Sequence, residues 1–214
     1  MSVVASVQGC RGLLLVLSAP SGTGKTTVVQ KVVDRLPNIR RSRSYTTRLP
    51  RSGEQDGVDY NFIDEGAFRK MVSEGAFIEW ADVFGNLYGT SVVDTEAQLV
   101  SGQDIVLVID VQGAQQVRQR ITNVVSIFLL PPSYSALQER LFERSQLEIG
   151  PDELDRRLVT AKQEVAARQD YDYIVINDEL ERCVSTLCNI VTAERSTAEA
   201  MRASATLIAE SFGT

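Results

Sequence analysis

Leu-Leu-Leu-Val-Leu-Ser-Ala-Pro-Ser-Gly-Thr-Gly-Lys-Thr-Thr, residues 13–27, is the stretch on which the reading of this chain turns. Leu13–Ser18 lacks the alternation of a half-exposed strand, so it suits a strand buried on both faces. Pro20, Gly22 and Gly24 then break the pattern, and a helical spacing runs over Thr26–Leu36. A glycine loop between buried strand and helix turns successive backbone N–H groups toward one point, where the helix N-terminus adds partial positive charge. Ser21, Gly22, Thr23, Gly24, Lys25, Thr26 and Thr27 are therefore candidate ligands of a nucleoside triphosphate. Lys25 would reach the β- and γ-phosphates, and the Thr26 hydroxyl would help hold Mg²⁺. The strict pattern has glycine six residues before the lysine, where this chain has Ala19. A plain strand-to-helix turn explains the glycines alone; the register of strand, loop, Gly-Lys-Thr and helix favours the nucleotide site.

The same apolar run, with Arg11 ahead of it, imitates a targeting signal. It is shorter than such a signal needs, and no run approaches the ~20 apolar residues of a membrane span. The expectation is a soluble, cytoplasmic protein with no membrane partner. Cys10, Cys183 and Cys188 are too few and too oddly spaced for a disulfide framework, which agrees with a reducing compartment.

Further along, Ile105–Ile109, Val124–Leu130 and Tyr173–Ile176 read as buried strands. Ser91–Ser101, Gln112–Arg120, Ser133–Arg144 and Asp152–Arg168 read as helices, and the pattern is helical again from about Leu180 to Phe212. In the fourth of these helical stretches Leu154, Leu158, Ala161 and Val165 recur at helical spacing, with Pro151 just ahead of an acidic first turn. Alternating strands and helices imply an α/β fold: a three-layer P-loop core around a central parallel sheet. Residues 41–90 break the rhythm. Ser52-Gly53, Asp56-Gly57, Phe84-Gly85-Asn86 and Tyr88-Gly89 punctuate short strand-like pieces carrying Tyr45, Tyr60, Trp80 and Tyr88. This is expected to be a mixed α/β lobe inserted into the core.

The 214 residues include 22 basic and 28 acidic ones, a net charge of -6, which argues against a nucleic-acid partner. Histidine is absent, and with it every Ser-His or Cys-His mechanism and every His-ligated metal. Against the acidic background, Arg40, Arg41, Arg43, Arg48 and Arg51 form a local cationic excess with no acid until Glu54. Arginine forks and tyrosine hydroxyls bind phosphate oxygens; by itself the run suits a solvated basic face equally well.

Ser44-Tyr-Thr-Thr-Arg48-Leu-Pro-Arg51-Ser-Gly-Glu54 and Gly57-Val-Asp-Tyr60-Asn-Phe closely resemble the GMP-binding stretch of guanylate kinases. Phe77-Ile-Glu79-Trp-Ala, Gly85-Asn-Leu-Tyr88-Gly-Thr90, Ile109-Asp110-Val-Gln-Gly113-Ala, Arg140-Leu-Phe-Glu-Arg144 and Ile176-Asn177-Asp178 continue the resemblance in order, from Leu14 to about Glu194. The resemblance implies phosphoryl transfer from ATP to GMP. By it, Arg48, Arg51, Tyr60 and Tyr88 hold the GMP phosphate, and Ser44, Glu79, Thr90 and Asp110 read the guanine. Arg144 and Arg157, supported by Arg140, close a lid over the triphosphate, and Asn177 lies beside adenine. It further implies a core of 1–40, 91–134 and 171–214, a GMP-binding lobe of 41–90 and a helical lid of 135–170.

Lys25, Arg51, Arg140, Arg144 and Arg157 are then the catalytic candidates, with ATP and GMP as substrates and Mg²⁺ as cofactor; nothing in the pattern assigns an oligomeric state. Two departures stand out. Val108 occupies a position where family members usually carry an acid, and Arg144 and Arg157 are 13 positions apart, two more than the usual lid spacing. A kinase for another small molecule would not need the Ser44, Glu79 and tyrosine pocket. A guanylate-kinase-like binding module tends to lose the phosphate loop, which is intact here.

Overall fold

A computed structural model describes residues 11–83, 85–148 and 151–212, with side chains described outside 144–154. Its centre is β1 (Leu14–Ser18), every residue of which is buried. Leu15 and Leu17 face one core with α1 (Lys25–Arg35), and Leu14 and Val16 face a second core. Both faces are covered, so the strand shows no polar alternation.

The chain next adds an edge strand, β2 (Ile39–Arg41), and then leaves the main sheet. Short β3 (Tyr45–Thr46) and β4 (Asn61–Phe62) lead to α2 (Glu65–Ser73), followed by the hairpin β5 (Phe77–Val83) and β6 (Asn86–Ser91). These four strands form a separate mixed sheet in the order β4-β3-β6-β5. The chain returns through α3 (Val92–Val100), β7 (Asp104–Val108), α4 (Val111–Arg120) and β8 (Val124–Leu130). It then runs through α5 (Tyr134–Glu148) and α6 (Pro151–Ala166) to β9 (Tyr173–Ile176), α7 (Leu180–Glu194) and α8 (Arg202–Ser211). The main sheet is wholly parallel, in the order β2-β7-β1-β8-β9. α1 and α7 pack on one face; Leu99 of α3 and Ala114 and Val117 of α4 pack on the other. This is the expected three-layer α/β architecture, with the predicted inserted mixed lobe. No helix among the described residues is long and apolar enough to cross a membrane.

Three elements differ from the sequence reading. β2 escapes notice because only Ile39 is buried; Arg40 and Arg41 fill the rest of an edge strand. α2 is short, set by Asp64, whose carboxylate accepts from the Ala67 amide at 2.8 Å, and by buried Phe68. The helical pattern after Leu180 is divided between two helices, with residues 195–201 between them. Past Glu194 the Ser196 and Thr197 hydroxyls bond back to the carbonyls of Thr192 and Glu194, competing with the helix ladder. Arg195 is drawn to buried Asp104 at 2.6 Å.

The inserted lobe has its own small core of Phe68, Phe77 and Leu87, with the first two rings stacked at 4.6 Å. Phe68 is fully buried. Phe68→Ala is expected to cost about 3–5 kcal/mol, measured as a lowered urea midpoint.

Candidate active site

β1 delivers the chain into residues 19–24 at the C-terminal edge of the parallel sheet. Ala19 is buried in the core and adopts an ordinary negative φ, so the missing glycine is not a conformational loss. Left-handed backbone falls on Gly22 (φ 86°) and Gly24 (φ 92°). Gly22 is doubly constrained, because a Cβ there would meet Leu141 of α5 at 2.8 Å. Asn177, at the end of β9 and buried, donates from its side-chain amide to the Thr23 carbonyl at 2.7 Å. Its own carbonyl accepts from Arg140 at 3.1 Å.

Ser21, Gly22, Thr23, Gly24, Lys25, Thr26 and Thr27 line one cavity of 690 Å³ together with Arg140, Arg157, Asp110 and Glu164. Lys25 donates from its ammonium to the Ala19 carbonyl. Burial pushes the Lys25 pKa down, and the carboxylates of Glu164 and Asp110 draw it back up. Glu164 is itself raised by burial, opposed by Lys25. Asn177 sits behind this cavity, holding the loop in place. Arg157 lines it, whereas Arg156 does not. Arg144 lies on α5 by its backbone; its side chain is outside the described residues. Val108 turns its side chain to the apolar core on the α1 face and so contributes no oxygen to the site.

The acceptor candidates gather on the mixed sheet. Arg48 is the hub. Its guanidinium donates to the Tyr88 hydroxyl at 3.1 Å and to Glu54 at 2.9 Å, and lies over the Tyr60 ring at 5.4 Å. Glu54 raises the Arg48 pKa, and Arg48 holds the Glu54 carboxyl below the usual range. The other Glu54 oxygen accepts from the Arg51 amide at 2.8 Å, leaving the exposed Arg51 guanidinium on the rim of the turn. Ser44 is half-buried and its carbonyl anchors β4 through the Asn61 amide at 2.9 Å.

At the other end of the lobe Glu79 is 3% exposed and accepts from the Thr90 hydroxyl at 2.6 Å. Burial raises its pKa to about 7; the Thr90 bond opposes that rise, Asp110 adds to it, and Arg120 opposes it. Asp110 caps α4 by accepting from the Gly113 amide at 2.8 Å. Gly113 allows this close approach: a Cβ would stand 2.6 Å from a Glu79 oxygen and force the carboxylate to shift. Asp110 thus touches both halves, lining the phosphate-loop cavity and facing Glu79.

Sequence reasoning missed four supporting residues. Glu54 pairs with Arg48, and Glu164 sits two helical turns beyond Arg157 on α6. Gln116 and Arg120, four apart on α4, grip the β5 backbone at Trp80 (2.7 Å) and Ile78 (2.7 Å). Their spacing on one helix face was the available signal.

The guanylate kinase family model matches residues 11–194. The chain belongs to the guanylate kinase family. The guanylate kinase of Geobacter metallireducens is 47% identical over 184 residues, 86% of this chain and 90% of that protein. The guanylate kinase of Coxiella burnetii is 46% identical over 182 residues, 85% of this chain and 87% of its own length. The crystal structure of guanylate kinase from Anaplasma phagocytophilum superposes with a TM-score of 0.73 at 35% identity, covering 89% of this chain and 90% of that one.

The burial of Glu79 has a measurable consequence. Its folded value of about 7 lies above the ordinary carboxyl value of 4.5. The folded protein therefore holds this proton more tightly than the unfolded chain does, and stability falls as pH rises through that window. Glu79→Gln, which keeps an acceptor for Thr90 but cannot ionise, is expected to lose less stability than the parent between about pH 5 and about pH 8. Urea midpoints at the two pH values check this.

Proposed function

We propose that this chain transfers the γ-phosphoryl group of ATP to GMP, giving ADP and GDP in purine nucleotide metabolism, with its site in the cytoplasm. The observation that carries the reading is the buried Glu79 carboxylate, held by Thr90 beside Asp110 at one end of the lobe, with Arg48, Tyr60 and Tyr88 at the other. Guanine offers N1–H and an exocyclic amine to a carboxylate; adenine offers an unprotonated N1 that repels it. A buried polar group left unpaired costs about 1–3 kcal/mol, which separates the two bases.

In this reading residues 1–40, 91–134 and 171–214 form the core, 41–90 the GMP-binding lobe and 135–170 the lid; β2 crosses the first boundary by one residue. Backbone N–H groups of residues 21–27 and the Lys25 ammonium take the triphosphate. Arg48, Tyr60, Tyr88 and Arg51 hold the GMP phosphate, and Ser44, Glu79, Thr90 and Asp110 hold its base. Asn177 supports the adenine side by fixing the loop. The acceptor oxygen of a phosphate monoester is already ionised near neutral pH, so the reaction needs alignment and charge neutralisation rather than a general base. Arg140, Arg144 and Arg157 neutralise the transferring group from the lid side, and closure over the cavity keeps water from competing as acceptor.

The residues present suit Mg²⁺. Thr26 offers a hydroxyl, and Asp110 and Glu164 offer carboxylates to the same cavity. Among the described residues no group of three or more His, Cys, Asp or Glu side chains could hold a metal ion by itself. When bound, Mg²⁺ supplies charge neutralisation at the β- and γ-phosphates.

With ATP and Mg²⁺, turnover is expected on GMP and not on AMP, CMP or UMP offered in parallel. Glu79→Ala is expected to raise the KM for GMP by about tenfold or more with the KM for ATP little changed. Equal losses for both nucleotides would remove the base-reading role.

A further inference from the structure

The basic run at 40–51 contains three arginines that the proposed chemistry does not use: Arg40, Arg41 and Arg43. The structure separates them. Arg43 donates to the Gly57 carbonyl and so ties down a turn. Arg40 and Arg41 are neighbours on β2 and point to opposite faces of the sheet; Arg40 is exposed, Arg41 is half-buried. From the edge of the parallel core Arg41 reaches across to the inserted lobe. Its guanidinium lies 5.8 Å from the centre of the Tyr60 ring, and one nitrogen stands 3.5 Å from the Tyr60 hydroxyl, a long hydrogen bond.

Tyr60 is therefore flanked by two cations, with Arg48 at 5.4 Å from the same ring. Arg48 is neutralised by Glu54 at 2.9 Å. Arg41 has no acid within ion-pair distance among the described residues. Two like charges brought to one ring with a single counter-ion repel each other, and cation–π attraction recovers only part of that cost at a half-exposed site. An anion placed at the Tyr60 hydroxyl would balance the set. The contact also joins the core to the lobe, so it fixes where the hydroxyl stands relative to the parallel sheet.

We infer that Arg41 is a positioning residue for the acceptor phosphate, acting through Tyr60: it holds the Tyr60 hydroxyl toward the phosphate monoester of the acceptor nucleotide. This rests on the reading of the lobe as the GMP site. Arg41 contributes to recognition of the phosphate and not of the base.

The test is calorimetric titration of GMP and of guanosine, which lacks the phosphate, into the parent protein, Arg41→Gln, Arg41→Lys and Arg40→Gln. Arg41→Gln is expected to weaken GMP by roughly five- to tenfold while leaving guanosine unchanged. Arg41→Lys, which keeps the charge but not the fork, should fall between. Arg40→Gln removes the same charge from the other face of β2 and should match the parent with both ligands. In a Tyr60→Phe background the Arg41→Gln loss should shrink toward nothing, since the two groups act as one.

Equal weakening of GMP and guanosine marks a merely structural role and overturns the inference. So does an Arg41→Gln protein indistinguishable from Arg40→Gln, or full additivity with Tyr60→Phe. Should the parent protein itself bind GMP no more tightly than guanosine, the reading of the lobe as a phosphate site fails, and this inference with it. A parent that prefers GMP, with no change in Arg41→Gln, overturns the Arg41 role alone.

Discussion

The hydrogen bond from the Asn177 side chain to the Thr23 carbonyl joins residues 154 positions apart, and the geometry of the site hangs on it. A phosphate loop works by holding backbone N–H groups at one point, and glycines at Gly22 and Gly24 that permit this conformation do not by themselves hold it. Asn177 supplies the restraint. It is buried at the end of β9, its amide fixes the loop, and its carbonyl receives Arg140 from α5. Leu141, one residue on, packs against Gly22. Loop, sheet and lid helix therefore meet at one buried polar group. Losing it would leave the Thr23 carbonyl without a partner, a cost of about 1–3 kcal/mol.

The two ends of the lobe differ in electrical character. One end is cationic, with Arg48 and Arg41 over the Tyr60 ring. The other is acidic and dry, with Glu79 and Asp110 facing each other across Gly113. Burial is the main reason the Glu79 pKa is raised to about 7, and the nearby Asp110 carboxylate adds to the rise, since two carboxylates this close resist ionising together. In the proposed reading, donors from a guanine edge relieve that opposition, and an anion at the arginines relieves theirs.

Much of this was legible in the sequence because it depends on local pattern. β1, β8 and β9 announce themselves as unbroken apolar runs, and the glycine loop as punctuation between a strand and a helix. What escaped notice depends on pairing across distance. β2 hides because an edge strand needs only one buried residue, Ile39, and its two arginines read as a charge run. Glu54 looks like the end of the basic stretch until Arg48 folds back on it. The break after α7 is set by Arg195 reaching Asp104, a partner 91 positions away, and no helical periodicity records that. The roles of the arginines in the basic run separate only in the fold, since Arg41 meets Tyr60 while Arg40, one residue earlier, faces away.

The phosphate cavity closes the electrostatic argument. Burial opposes the charge on Lys25, and an uncharged lysine would be of little use to a triphosphate. Asp110 and Glu164 oppose that effect from two sides, one at the start of α4 and one on α6. The price of that support is two carboxylates beside a site meant for an anion. Val108 does not add to the conflict: its apolar side chain packs into the core against α1. The cavity keeps two carboxylates that favour the charged form of Lys25 and offer hard oxygen donors to a cation. It also escapes the further repulsion that a third carboxylate would direct at the incoming phosphates.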